Sequence, residues 1–98
     1  MTVMIPYGKQ NISKEDIDSV VKILKSDWIT QGPCVESFEE AISQKVGSKY
    51  CISANSATSC LHLACKALDL KRGERVWTSP NSFVASANAA LFCGADID

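Results

Sequence analysis

Much that would announce a chemistry is missing from this chain. It has a single histidine, His62, so a zinc site that draws on several imidazoles cannot be assembled from it. Its five cysteines, Cys34, Cys51, Cys60, Cys65 and Cys93, contain no C-x-x-C pair and are odd in number. They predict reduced thiols in a cytoplasmic protein and no disulfide framework. All but Cys34 sit in apolar segments, where a thiol acts as a small hydrophobe. Net charge is -1, with acids and lysines intermixed, which leaves no electrostatic footprint for nucleic acid or an anionic membrane. No apolar run approaches the ~20 residues that span a bilayer. Met1–Ile5 shows no basic stretch ahead of a long apolar one, so no signal peptide is visible. The serines have no His–Asp partners in a recognisable arrangement, which argues against a hydrolytic triad.

What remains is an ordinary globular composition, 46% hydrophobic and 21% charged over 98 residues. Residues 3–11 read as extended, interrupted by Pro6 and Gly8. Ser13 is an N-cap with Glu15 and Asp16 behind it, opening a helix to about Ser26 with Ile17, Val20, Val21 and Leu24 on one face. The stretch DWITQGP breaks the period, and Pro33 starts a second helix whose apolar side is Val35, Phe38, Ile42 and Val46. Gly47 fits its C-terminal cap.

The centre of the pattern is Tyr50–Leu68. An apolar run, Tyr50–Ala54, predicts a strand; the small polar residues Asn55–Ser59 predict a tight turn. Leu61, Ala64, Cys65 and Leu68 then follow at helical spacing. Free backbone N–H groups, hydroxyls and the positive end of a helix dipole meet at that turn, which suits an anion such as phosphate. His62, Lys66 and Asp69 form a polar, solvent-facing stripe on this helix. Arg75–Thr78 reads as a strand, and Asn81 or Ser82 as the cap of a helix carrying Phe83, Val84, Ala87, Ala90 and Leu91. Gly94 would stop that helix, and Ala95–Asp98 begins another strand. Two leading helices followed by β-α-β-α-β predict an α/β fold with a parallel sheet. The chain divides in this reading into an arm, helix and loop over 1–33 and the start of the sheet over 34–98. The expected final strand and the uncovered faces of so small a sheet read as the beginning of a larger protein.

Four pieces in this order, IPYGKQNIS, SDWITQGPCVESFEEAI, NSATSCLHLACKAL and VWTSPNSFVASANAALFCGADID, together resemble the N-terminal part of the DegT/DnrJ/EryC1/StrS sugar aminotransferases. The resemblance covers essentially the whole chain. It implies the fold type I (aspartate aminotransferase-like) large domain, pyridoxal 5'-phosphate as cofactor, and a homodimer. It also implies amination of C4 of a UDP-linked 4-keto-6-deoxy-N-acetylhexosamine, as in bacterial pseudaminic acid synthesis, with glutamate as amino donor. Residue by residue, Ala57 and Thr58 match the positions that hold the cofactor phosphate, and Ser59 is the next donor. Phe83 matches the aromatic that stacks on the pyridine ring. Tyr7, Asp27, Trp28, Ile29 and Thr30 match segments lining the sugar-nucleotide pocket.

Such an enzyme needs a lysine for the internal imine and a carboxylate on the pyridine nitrogen. None of the chain's lysines lies at the family's catalytic position, so no catalytic residue and no metal ligand is assigned. The expectation is that these 98 residues do not transaminate alone. Two other readings stay open at this level: a sugar dehydratase of the same family, in which histidine replaces the lysine, and a non-catalytic nucleotide- or phosphate-binding α/β module.

Overall fold

The computed structural model describes residues 6–98; the first residues of the expected extended arm, 3–5, lie outside the described residues. The chain divides after Ser48 into two units. The first holds helices α1 (Lys14–Leu24) and α2 (Pro33–Val46). The second holds α3 (Ala57–Ala67), strand β1 (Arg75–Val76), α4 (Ala85–Phe92) and strand β2 (Asp96–Ile97).

In the first unit, local chemistry sets the helix ends. The Asp16 N–H donates to Ser13 Oγ at 3.2 Å, and the Ser13 N–H donates back to Asp16 Oδ2 at 2.8 Å. This is a reciprocal capping box with Asp in the place usually taken by Glu or Gln. The Ser13 backbone N–H, and after it the Ser13 hydroxyl, hold the Asp16 carboxyl below its ordinary value. Pro33 occupies the first turn of α2, and Gly47 closes it with φ 69, a left-handed conformation that costs glycine nothing. The apolar faces form as the spacing predicts, yet Ile17, Val20, Val21 and Leu24 on α1 stay exposed, as do Val35, Phe38, Ile42 and Val46 on α2. Period places a face on one side of a helix; burying it takes a second surface.

The second unit is a βαβ arrangement. Strands β1 and β2 run parallel, with Arg75 opposite Asp96 and Val76 opposite Ile97. Asp96 N–H donates to the Glu74 carbonyl and Asp98 N–H to that of Val76, both at 2.9 Å; Thr78 N–H donates to the Asp98 carbonyl at 3.0 Å. Helix α4 is the crossover, as parallel strands require. Its Ala85, Ala89 and Ala90, with Ala95 after it, are the buried hydrophobic residues. Side chains this small let the helix approach the strands and α3 closely.

Four expectations need correcting. Tyr50–Ala54 joins no ladder among the described residues, because a strand exists only where a neighbour pairs with it. Strand β1 covers Arg75–Val76, shorter than expected. Helix α4 starts at Ala85 without a side-chain cap, so neither Asn81 nor Ser82 caps it and Phe83 and Val84 precede it. Its first donors are served by carbonyls: Ser86 N–H bonds to Phe83, and the Ala87 and Asn88 N–H groups bond to Val84. Finally, His62 does not face solvent. Its ring meets Phe92 of α4 edge-on, centroids 5.4 Å apart at 61°, and its Nε2 is buried with no hydrogen-bond partner among the described residues. The thiols are all free, and none of the five is fully buried.

Among the described residues the buried hydrophobic core is four alanines, too small to offset the conformational entropy of ordering the chain. The 98 residues by themselves are therefore expected to unfold over a broad temperature range and to bind a dye for exposed apolar surface. A sharp, cooperative calorimetric transition would contradict this.

Candidate functional site

The turn before α3 is a small hydrogen-bonded network. Ser56 caps the helix from an extended backbone, its Oγ accepting the Ser59 N–H at 3.2 Å. The Ser59 hydroxyl donates to Asn55 Oδ1 at 2.8 Å. The two serine hydroxyls lie 3.0 Å apart, and Ser56 Oγ is 3.5 Å from the same Asn55 oxygen. A helix start leaves its first N–H groups without intrahelical acceptors. Ser56 satisfies that of Ser59; those of Ala57 and Thr58, with the Thr58 hydroxyl, bond to none of the described residues. No acidic side chain stands in the first turn of α3. Two adjacent amides at the positive end of a helix dipole, with a hydroxyl beside them and no competing carboxylate, make a donor set suited to a phosphate.

Phe83 lies on the segment between β1 and α4 and is 76% exposed. It lines an open groove of about 530 Å³ together with Thr78, Ser79, Val84, Ile97 and Asp98. Thr78 and Ser79 follow β1, and Ile97 and Asp98 end β2, so the groove opens at the carboxyl ends of the parallel strands. Ligands of open α/β sheets bind at that edge. An accessible aromatic face there can stack on a flat heterocycle.

Tyr7, Asp27, Trp28, Ile29 and Thr30 belong to the first unit, whereas Ala57, Thr58, Ser59 and Phe83 belong to the second. Tyr7 is fully exposed, and residues 27–30 form the connection between α1 and α2. That connection is tightly built. Ser26 Oγ donates to the Ile23 carbonyl at 2.8 Å and accepts the Trp28 N–H at 3.2 Å. Gln31 takes φ 53, and the Gly32 N–H bonds to the Thr30 carbonyl at 3.1 Å. A Cβ at Gly32 would lie 2.6 Å from Trp28 Cβ. Trp28 as a whole is 63% exposed.

Sequence reasoning gave no role to Asn55 or Gly32. The first was signalled by Asn-Ser-x-x-Ser immediately before an apolar helical repeat, a spacing that lets an Asn side chain reach the second serine. The second carried no signal of its own, because close approach of two chain segments is not visible in composition. Among the described residues no group of three or more His, Cys, Asp or Glu is placed to hold a metal, and no helix is long and apolar enough to cross a membrane.

Comparison with known proteins bears on what this turn and groove serve. Residues 10–97 match the DegT/DnrJ/EryC1/StrS aminotransferase family. The UDP-4-amino-4,6-dideoxy-N-acetyl-beta-L-altrosamine transaminase of Campylobacter jejuni (strain 81-176) is 47% identical over 95 residues, covering 97% of this chain and 25% of that protein. The spore coat polysaccharide biosynthesis protein SpsC of Bacillus subtilis is 40% identical over 91 residues, 93% of this chain and 23% of that protein. Among solved structures, Helicobacter pylori PseC, an aminotransferase involved in pseudoaminic acid biosynthesis, superposes with a TM-score of 0.88 at 34% identity, covering 95% of this chain and 26% of that one. A Streptococcus pneumoniae protein assigned as a sugar aminotransferase, solved in PLP and PMP forms, superposes at 0.89 with 30% identity, covering 96% of this chain and 24% of that one. The chain spans about a quarter of the length of the relatives it matches. Its fold is that of the corresponding part of these fold type I transferases.

The loop between α1 and α2 gives a direct test of its own packing. Gly32→Ala brings a Cβ against a backbone-anchored atom, and overpacking of this kind costs about 1–3 kcal/mol. The Val35 N–H, bonded to the Gly32 carbonyl at 3.2 Å, is expected to exchange with solvent deuterium faster in the variant. Unchanged exchange at Val35 would show that the loop relaxes without cost.

Proposed function

Because this chain belongs to the DegT/DnrJ/EryC1/StrS aminotransferase family, we propose that it contributes the phosphate-holding turn and the stacking ring of a pyridoxal-phosphate sugar aminotransferase. Pyridoxal phosphate is the cofactor that the family implies. The observation that carries the reading is the donor set at the start of α3, the N–H groups of Ala57 and Thr58 with the Thr58 hydroxyl, which bond to none of the described residues, at positions the family uses for the cofactor phosphate. When bound, the cofactor supplies an electron sink for moving an amino group. The chain's own residues bind and orient it. Ala57 and Thr58 fix the phosphate end, with Ser59 beside them. Phe83, exposed at the carboxyl edge of the strands, covers one face of the pyridine ring and fixes its plane.

By the family resemblance, Tyr7, Asp27, Trp28, Ile29 and Thr30 are the residues proposed to contact the nucleotide sugar, and the whole protein is proposed to act as a homodimer. The acceptor in this proposal is a UDP-linked 4-keto-6-deoxy-N-acetylhexosamine, aminated at C4 with glutamate as donor in pseudaminic acid-type synthesis in the cytoplasm; the names of two relatives, a UDP-4-amino-4,6-dideoxy-N-acetyl-beta-L-altrosamine transaminase and an aminotransferase of pseudoaminic acid biosynthesis, support the class of sugar. No lysine in these 98 residues is assigned to hold the cofactor covalently, so the isolated chain is not expected to turn over.

The test uses the whole protein that carries this sequence. It is expected to purify yellow, to lose that colour on removal of pyridoxal phosphate, and to transfer the glutamate amino group to the keto sugar. Phe83→Ala is expected to weaken pyridoxal-phosphate binding by roughly 3- to 10-fold, the scale of one lost aromatic stacking contact. A colourless protein indifferent to pyridoxal phosphate would sink the reading. A coloured one that removes a sugar hydroxyl without taking up nitrogen would identify a dehydratase instead.

A further inference from the structure

We propose that Asn55 is a positioning residue for the phosphate-holding turn: its Oδ1 accepts the hydrogen bond that the Ser59 hydroxyl donates, so Ser59 braces the turn and leaves the anion to Ala57 and Thr58. This rests on the pyridoxal-phosphate reading given above. A serine has two groups to donate, one N–H and one O–H. Both of Ser59's are engaged inside the turn, the N–H by Ser56 Oγ at 3.2 Å and the O–H by Asn55 Oδ1 at 2.8 Å. Ser56 has its own hydroxyl proton held between Ser59 Oγ at 3.0 Å and the Asn55 oxygen at 3.5 Å. A phosphate dianion accepts and does not donate, so a hydroxyl oxygen whose proton is turned away offers it nothing. Ala57 and Thr58, the two residues between the bracing serines, keep their N–H groups free of partners among the described residues.

The side chain at position 55 suits this duty. Its amide oxygen has two lone pairs and can accept from both serine hydroxyls. It does so as a neutral group, where a carboxylate would set a negative charge beside the phosphate. Asn55 and Ser56 are exposed and Ser59 is half-buried, so truncating Asn55 or Ser59 opens no cavity. The effect of either truncation then falls on the order of the turn.

The experiment measures, on the apo form of the whole protein, affinity for pyridoxal phosphate relative to pyridoxal. That ratio isolates what the phosphate contributes, since a general loss of structure weakens both ligands alike. Asn55→Ala and Ser59→Ala are each expected to lower the ratio by roughly 3- to 10-fold, the scale of one hydrogen bond. The double variant is expected to lower it no further than either single one, because both remove the same bond. The proposal is overturned if the double variant loses the product of the two single effects, as a Ser59 hydroxyl bound directly to phosphate requires. It is equally overturned if Asn55→Ala leaves the ratio unchanged. A wild-type ratio near one is a different result: it removes the phosphate reading of the turn, and this inference with it.

Discussion

Four alanine methyl groups govern the geometry of the second unit. Ala85, Ala89 and Ala90 on α4, with Ala95 just beyond it, are its buried hydrophobic residues, and α4 is the element that meets α3, β1 and β2 alike. Helices approach closely only where side chains are short, so larger residues here would lift α4 from the strands. The parallel pairing of Arg75–Val76 with Asp96–Ile97 depends on that approach, because the crossover brings the second strand back beside the first. The groove beside Phe83 depends on it too, being bounded by the ends of both strands and the entry to α4.

A second constraint acts at the start of α3. Every helix begins with donors its own carbonyls cannot reach, and the described helices resolve this in different ways. The first helix uses a serine and an acid in reciprocal bonds. The fourth turns tightly, so that the Phe83 and Val84 carbonyls serve its first donors. The third satisfies one donor with Ser56 and leaves two without a partner among the described residues. Unpaired donors are cheap in water and useful to an anion, so a binding turn carries this arrangement at little cost in stability.

What could be read from the sequence was whatever short-range chemistry decides. Ser13, Pro33 and Gly47 mark their helix ends because caps depend on residues within one turn of each other. The small polar run at Asn55–Ser59 was legible as the turn that opens α3 for the same reason. Tyr50–Ala54 was misread as a strand because pairing depends on a distant neighbour that no local pattern contains. The start of α4 was misplaced because two backbone carbonyls did work expected of a side chain. His62 was misassigned because its neighbours at helical spacing are polar, whereas Phe92, thirty residues on in sequence, decides its surroundings. The expectations for Phe83 and Trp28 came from family resemblance; neither could be derived from periodicity.

The close approach at Gly32 also bears on which residues can change together. The atom that a new side chain would strike is Trp28 Cβ, at 2.6 Å, with the indole Cγ farther off at 3.2 Å. Every residue except glycine carries a Cβ, so shrinking the tryptophan to alanine would leave the collision in place. The requirement belongs to the path of the backbone and is indifferent to the ring. This contact therefore restricts position 32 to glycine and places no demand of its own on the side chain at position 28. The two sites touch, yet the contact constrains only one of them.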